Sequence, residues 1–195
     1  MERPLSNLVG RKNDIRQSTA LTVSKGATSQ EASGVLQRPG LGPTIRHLES
    51  RDIAAVLEVQ AHCCEASQWS RKDYETLLDD AAPCFVLENI ESVDNDGRIA
   101  GFLAARKLAD EMEILNLAVA PSAHRQGVAT RLLSAVMKWA AENGIAKVHL
   151  EVRASNAPAR SFYESRGFRA AGLRPNYYPD PTDDALLLTA PVHDA

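Results

Sequence analysis

The sequence predicts a mixed α/β domain, a central and mainly antiparallel sheet flanked by helices. Three observations lead there. The elements run strand, two helices, three strands, helix, strand, helix, two strands; an Asn95-Asp96-Gly97 turn joins two apolar runs; and a long amphipathic helical pattern sits between strands at 111–119 and 147–153. At 195 residues the chain is long enough for one core of ordinary size but too short for two comfortable ones.

The elements follow in order. Pro39-Gly40-Leu41-Gly42-Pro43 punctuates the chain, and apolar patterning begins directly after it at Thr44-Ile45-Arg46. The reading is therefore a poorly ordered extension over residues 1–43 and one folded domain over 44–195. Asp52 is placed to cap a helix carrying Ile53, Val56, Leu57 and Gln60, and Ser70 a second one carrying Tyr74, Leu77 and Leu78. Cys84–Leu87 and Ile99–Ala105 read as strands of a hairpin, since Asp-Gly supplies the positive φ angles that a tight turn needs. Glu111–Val119 follows as a third antiparallel strand.

The segment Val128–Ala141 sets Val128, Leu132, Val136 and Trp139 on one helical face, with Asn143-Gly144 as its stop. In Lys147–Arg153, Val148, Leu150 and Val152 alternate with His149, Glu151 and Arg153, a half-buried strand. Asn156 caps a further helix with Pro158 in its first turn, where a missing N–H is harmless, and Gly167 ends it. Phe168–Leu173 and Ala185–Thr189 complete the sheet.

Composition narrows the function. The net charge is −3, and because residues 1–43 carry six basic and three acidic side chains, the remainder stands at −6. An acidic body argues against non-specific nucleic-acid binding and tolerates a basic polypeptide as substrate. Cys63, Cys64 and Cys84 have neither zinc-ligand spacing nor an even count, so they read as reduced thiols, and no metal set is expected. With no apolar run of membrane-spanning length and no signal-peptide pattern, the expected location is cytoplasmic and no membrane partner is foreseen.

The junction Ala120 to Thr130 leads from a strand into the long helix, and its Gly127 and Ala129 allow close approach of a ligand to the backbone. Unpaired amides and the positive end of the helix dipole make such a place suited to an anion. Glu151 lies on the polar face of its strand and Tyr163 on an amphipathic helix, positions that alone are compatible with ordinary solvated and core side chains.

The string Asn116 to Leu133, then Leu150-Glu151-Val152-Arg153-Ala154-Ser155-Asn156, then Phe162-Tyr163-Glu164-Ser165-Arg166-Gly167-Phe168, resembles the GNAT superfamily of N-acetyltransferases. The segment Arg174-Pro175-Asn176-Tyr177-Tyr178-Pro179 resembles the Asn-Tyr-Tyr-Pro loop of its ribosomal-protein-alanine branch. The likeness covers about residues 44–192 and is strongest from Glu113 to Pro179.

It implies a GNAT-like three-layer fold with a splayed sheet, and acetyl-CoA as co-substrate. The backbone of Leu117, Ala118 and Val119 would meet the pantetheine arm, that of Arg125, Gln126, Gly127, Val128, Ala129 and Thr130 the pyrophosphate, and the side chain of Asn156 the cofactor. Where the family usually has Gln or Arg this chain has His124, and its second glycine is Ala129.

The resemblance further implies Glu151 as general base and Tyr163 as general acid. The chemistry agrees, because an α-amine titrates near about 7.7–8.0 and must lose a proton before attacking a thioester, while the leaving thiolate, of thiol pKa about 8.5, must gain one. A backbone N–H near Leu117 would serve the tetrahedral oxygen. Glu113 is the second choice of base, taken to alternate with Leu115 and Leu117, and the Asn176–Pro179 loop, His62 and Trp69 are candidates for the acceptor channel.

The implied acceptor is the N-terminal alanine of the eighteenth small-subunit ribosomal protein. The alternatives are an acetyltransferase for a small amine or a lysine ε-amine, and a catalytically silent CoA-binding module.

Overall fold

The computed structural model describes residues 42–63, 66–89 and 98–193. The expected N-terminal extension up to residue 41, the Asn95-Asp96-Gly97 turn and Cys64 lie outside them.

The strands are β1 (Thr44–His47), β2 (Phe85–Asn89), β3 (Arg98–Leu108), β4 (Glu111–Val119), β5 (Lys147–Arg153), β6 (Arg169–Pro179) and β7 (Thr182–Pro191). The helices are α1 (Ile53–Ala61), α2 (Arg71–Asp79), α3 (Val128–Glu142) and α4 (Ala157–Glu164). Their sequence is the one expected. All seven strands form one sheet in the order β1-β2-β3-β4-β5-β7-β6, antiparallel throughout except for β4 against β5.

Ser70 caps α2 as expected, its Oγ accepting from Asp73 N–H while Asp73 Oδ2 accepts from Ser70 N–H at 2.7 Å. Asp52 departs from the expectation. Its backbone is already helical and its carboxylate does not cap α1; it accepts from Glu49 N–H at 2.8 Å and takes Arg46 bidentately at 2.6 and 2.7 Å. Arg46 also donates to Glu88, so one guanidinium ties β1 to β2 and to the start of α1. Burial pushes the Asp52 carboxyl up, yet the Arg46 hydrogen bonds win and leave it below its ordinary value.

A single extra residue in β4 organises everything downstream. Ala104 pairs with Asn116 and Ala105 with Ile114, so Leu115 is a bulge. Partners across a ladder point to the same side of a sheet. Glu113, Asn116 and Ala118, opposite Arg106, Ala104 and Phe102, therefore share one face, while Ile114, Leu117 and Val119 share the other.

Helices α1 and α2 lie against the first face, where Tyr74 meets Phe102 edge-on with ring centroids 5.8 Å apart. Helix α3 lies against the second. There Gly101 is required, because a Cβ at that position would sit 2.8 Å from Val128 Cγ1 and 2.9 Å from the Ala118 carbonyl oxygen.

The bulge corrects one expectation. Glu113 does not alternate in register with Leu115 and Leu117; it faces the other way from Leu117.

Candidate active site

The two central strands separate. β4 and β5 pair from Glu111 with Lys147 to Ile114 with Leu150 and no further, although β4 runs on to Val119 and β5 to Arg153. The Leu115 bulge lies at the point of parting and adds twist there. Beyond it the β4 backbone of Leu117, Ala118 and Val119 has lost its β5 neighbour, and all three residues are buried. The splayed sheet expected from the resemblance is present.

At the end of β4 a single 3-10 turn, Pro121–Ala123, delivers the chain to the N-terminus of α3. Arg125 and Gly127 both have positive φ, 62° and 76°, and Gly127 is the N-cap. The first amide to bond within the helix is Arg131 N–H, to Gly127 O at 3.0 Å; those of Val128, Ala129 and Thr130 precede it and have no acceptor in the helix. A Cβ built on Gly127 would have nothing within 4 Å, so this helix end opens outward.

Two side chains of this turn bond back to the main chain that precedes them. Gln126 Nε2 donates to Ser122 O at 2.9 Å, and His124 Nε2 lies 3.0 Å from Val119 O, bonding back to the end of β4. Thr130 Oγ1 accepts from Arg166 at 2.5 Å, which brings the loop after α4 against the start of α3.

Tyr163 is on α4 and completely buried, between Phe162 and Phe168 at ring distances of 5.1 and 5.5 Å. Its hydroxyl has no hydrogen-bond partner among the described residues. Burial raises the phenol above its ordinary pKa, outweighing the opposing influence of Arg166, and keeps it protonated. Asn156 caps α4 through Oδ1, which accepts from Ala159 N–H at 3.0 Å.

Glu151 occupies the α1/α2 side of the sheet, since His149 pairs with Glu113 and Glu151 follows two residues on. Its carboxylate is 13% exposed and takes Arg174 at 3.0 Å. Tyr177 stands beside both. Burial first, then the Glu151 carboxylate to which it donates, push its phenol up to about 12, and the Arg174 guanidinium lies 5.6 Å from its ring. Glu113, on the same face, is paired with Arg106 at 2.5 Å.

The Asn176-Tyr177-Tyr178-Pro179 segment is not a loop. β6 continues through it to Pro179, and β7 is correspondingly longer than expected. The register shifts between Arg174 and Tyr178, and Asn176 has a φ of 51° with its N–H donated to Asp184 at 2.8 Å. That irregularity hides the strand from period-2 reading.

Two residues hold the β6–β7 turn in place. Arg153 donates to Pro181 O and Asp180 O, both at 3.1 Å, and covers the Tyr178 ring at 4.1 Å. Ser155 donates to Asp183 at 2.6 Å, which holds that carboxyl below its ordinary value.

Behind β4 lies a polar cluster that sequence reading missed. Asn116 Nδ2 donates to Ser67 O at 3.1 Å and reaches the Tyr74 hydroxyl at 3.3 Å; Tyr74 donates to Gln60 Oε1 at 2.8 Å, and Gln60 Nε2 donates to Trp69 O at 2.9 Å. The signal was an asparagine between Leu115 and Leu117, because a buried amide demands partners. Trp69 is a core residue, and His62 is exposed with Nδ1 on Glu58 O at 2.8 Å. Cys63 and Cys84 are buried; desolvation pushes the Cys84 thiol up to about 11. Among the described residues no three His, Cys, Asp or Glu side chains gather as a metal site.

The acetyltransferase (GNAT) family model matches residues 53–168. The chain belongs to the GNAT family of acetyltransferases.

Within this family the chain is 36% identical over 153 residues to the [ribosomal protein bS18]-alanine N-acetyltransferase of Escherichia coli strain K12, covering 76% of this chain and 97% of that one. It is 32% identical over 151 residues to the enzyme of the same name from Salmonella typhimurium strain LT2, with coverage of 76% and 97%. Among solved structures, the ribosomal-protein-S18-alanine N-acetyltransferase from Escherichia coli superposes with a TM-score of 0.68 at 33% identity, covering 78% and 96%. Ard1 from Thermoplasma volcanium does so with a TM-score of 0.69 at 26% identity, covering 78% and 99%.

Proposed function

We propose that this acetyltransferase moves acetyl from acetyl-CoA to the α-amine of a protein N-terminus, the N-terminal alanine of ribosomal protein bS18 being the favoured acceptor. The observation that carries the reading is the parting of β4 from β5 after Ile114 and Leu150. It leaves the end of β4 without a strand neighbour between the α3 side of the sheet and the opposite side, which carries Glu151.

The residues present suit acetyl-CoA. Amides of Val128, Ala129 and Thr130 that lack a helical acceptor, with the positive end of the α3 dipole, favour a pyrophosphate, and the β4 edge that β5 leaves, its Val119 carbonyl taken by His124 and the Cys63 thiol, offers main-chain groups near Leu117 to a pantetheine arm. Gly127 leaves room for close approach, and Ala129 is small enough to do the same. Arg125 and Gln126 complete the turn and contribute backbone. His124 is directed at Val119 O, so its part is to fix the corner. Asn156 contacts the cofactor from the start of α4.

Acetyl-CoA supplies the activated acyl group. Glu151 takes the proton from the acceptor's ammonium, directly or through a water, and so frees the amine to attack. A backbone N–H near Leu117 stabilises the tetrahedral oxygen. Tyr163, held protonated and without a partner of its own, donates to the leaving thiolate. Tyr177 and Tyr178 wall the acceptor's terminus. A cytoplasmic location accords with a ribosomal acceptor, and among the described residues no helix is long and apolar enough to cross a membrane.

The test is mass spectrometry of peptides incubated with the full chain and acetyl-CoA. A peptide beginning with the bS18 N-terminal alanine is expected to gain one acetyl group at its α-amine, and the same peptide blocked there none. Acetylation only of internal lysines, or of polyamines alone, would refute the proposed acceptor.

A further inference from the structure

The carboxylate proposed as base already holds a cation. Arg174 Nη1 is 3.0 Å from Glu151 Oε1, and strand register explains the meeting: Arg174 and Arg153 both pair with Ala185 of β7, so Arg174 projects on the face that carries Glu151. An acceptor amine arrives mostly as an ammonium and needs the same carboxylate. Two cations cannot both hold it in the geometry of proton transfer.

The pair is unequal in a useful way. Glu151 is 13% exposed and fixed in a central strand, whereas Arg174 is 52% exposed on β6, the last strand of the sheet. A half-solvated guanidinium loses little on leaving an ion pair, because water takes over its hydrogen bonds. Its aromatic neighbour Tyr177 offers a ring face 5.6 Å away on the same strand.

We propose that Arg174 is a placeholder cation, a specificity-determining residue that occupies Glu151 in the empty enzyme and is displaced by the incoming α-ammonium. The inference rests on Glu151 being the base. Its chemical content is competition: the acceptor must be cationic and slender enough to replace a guanidinium at one half-buried carboxylate. Glu113 serves as the internal comparison, a second carboxylate on that face with its own arginine, Arg106, at 2.5 Å.

The experiment measures acceptor-peptide kinetics for Arg174→Ala, Arg174→Lys, Arg106→Ala and Glu151→Gln in the full chain. Arg174→Ala is expected to lower the acceptor KM severalfold with the acetyl-CoA KM unmoved, and Arg174→Lys to stay near the parent. Millimolar guanidinium chloride should raise the acceptor KM of Arg174→Ala back towards the parent value, competitively with peptide and not with acetyl-CoA.

An unchanged or higher acceptor KM in Arg174→Ala would overturn the placeholder role while leaving the proposed base intact. An equal fall in Arg106→Ala would overturn it too, since the effect would then be a general field. Normal turnover in Glu151→Gln would remove the base and the placeholder together.

Discussion

The two sides of the parted sheet are built on different principles. On the α3 side the groups proposed to meet the cofactor are main-chain: the β4 edge from Leu117 to Val119 and the first amides of a helix. On the α1/α2 side they are side chains, Glu151, Arg174 and Tyr177, each held by another. A main-chain surface tolerates exchange of its residues so long as the backbone path survives, whereas a side-chain surface fails when one functional group is altered isosterically. His124 ties the turn to Val119 O, a contact that another side chain with an N–H could make.

Glu151→Gln breaks the comparison hardest. It preserves shape but removes the ability to take a proton, together with the charge that holds Arg174, so turnover should fall about 10³-fold, within the range of general-base losses, with acetyl-CoA affinity unchanged by calorimetric titration. A change in cofactor affinity of similar size would erase the distinction between the two sides.

Tyr163→Phe comes next, with turnover expected to fall about 10²-fold. Its stability should not fall, since the lost hydroxyl is buried and without a partner, and removing such a group relieves an unmet desolvation penalty. Thermal unfolding run beside the kinetics decides whether Tyr163 is a donor or only a core ring; unaltered turnover would make it the latter.

Gly101→Val attacks the other side through the backbone. The new side chain meets Val128 and the Ala118 carbonyl, so β4 and the start of α3 must shift away from β3, at about 1–3 kcal/mol in stability. The acetyl-CoA KM should rise several times more than the acceptor KM. His124→Gln is the mildest change: glutamine can still donate to Val119 O, and the acetyl-CoA KM should stay within about threefold, the scale of a single neutral hydrogen bond.

Sequence reading recovered what is periodic. The alternation of 147–153 is β5, the apolar stripe of 128–141 is α3, and Asn156 and Ser70 cap the helices they were expected to cap. It lost what depends on broken periods. The Leu115 bulge inverts the side on which Glu113 stands relative to Leu117, and the irregular stretch from Arg174 to Tyr178 disguises strand as loop.

Asp52 was misread for another reason. A capping residue and an ion-pair residue look alike in one dimension, and only the fold brings Arg46 of β1 to Asp52, with Glu88 of β2 on the same guanidinium. The Glu151–Arg174 pair was invisible for the same cause: 23 positions separate the two, and β7 alone makes them neighbours.

Leu115 has one more consequence. By adding a residue without a counterpart, it shifts the alternation of the strand by one, so that Asn116, and not Leu117, shares the face of Glu113. Excising that residue would leave Ala105 opposite Ile114 and Ala104 opposite Asn116 in a perfect ladder, and would take away the extra twist at the place where β4 leaves β5.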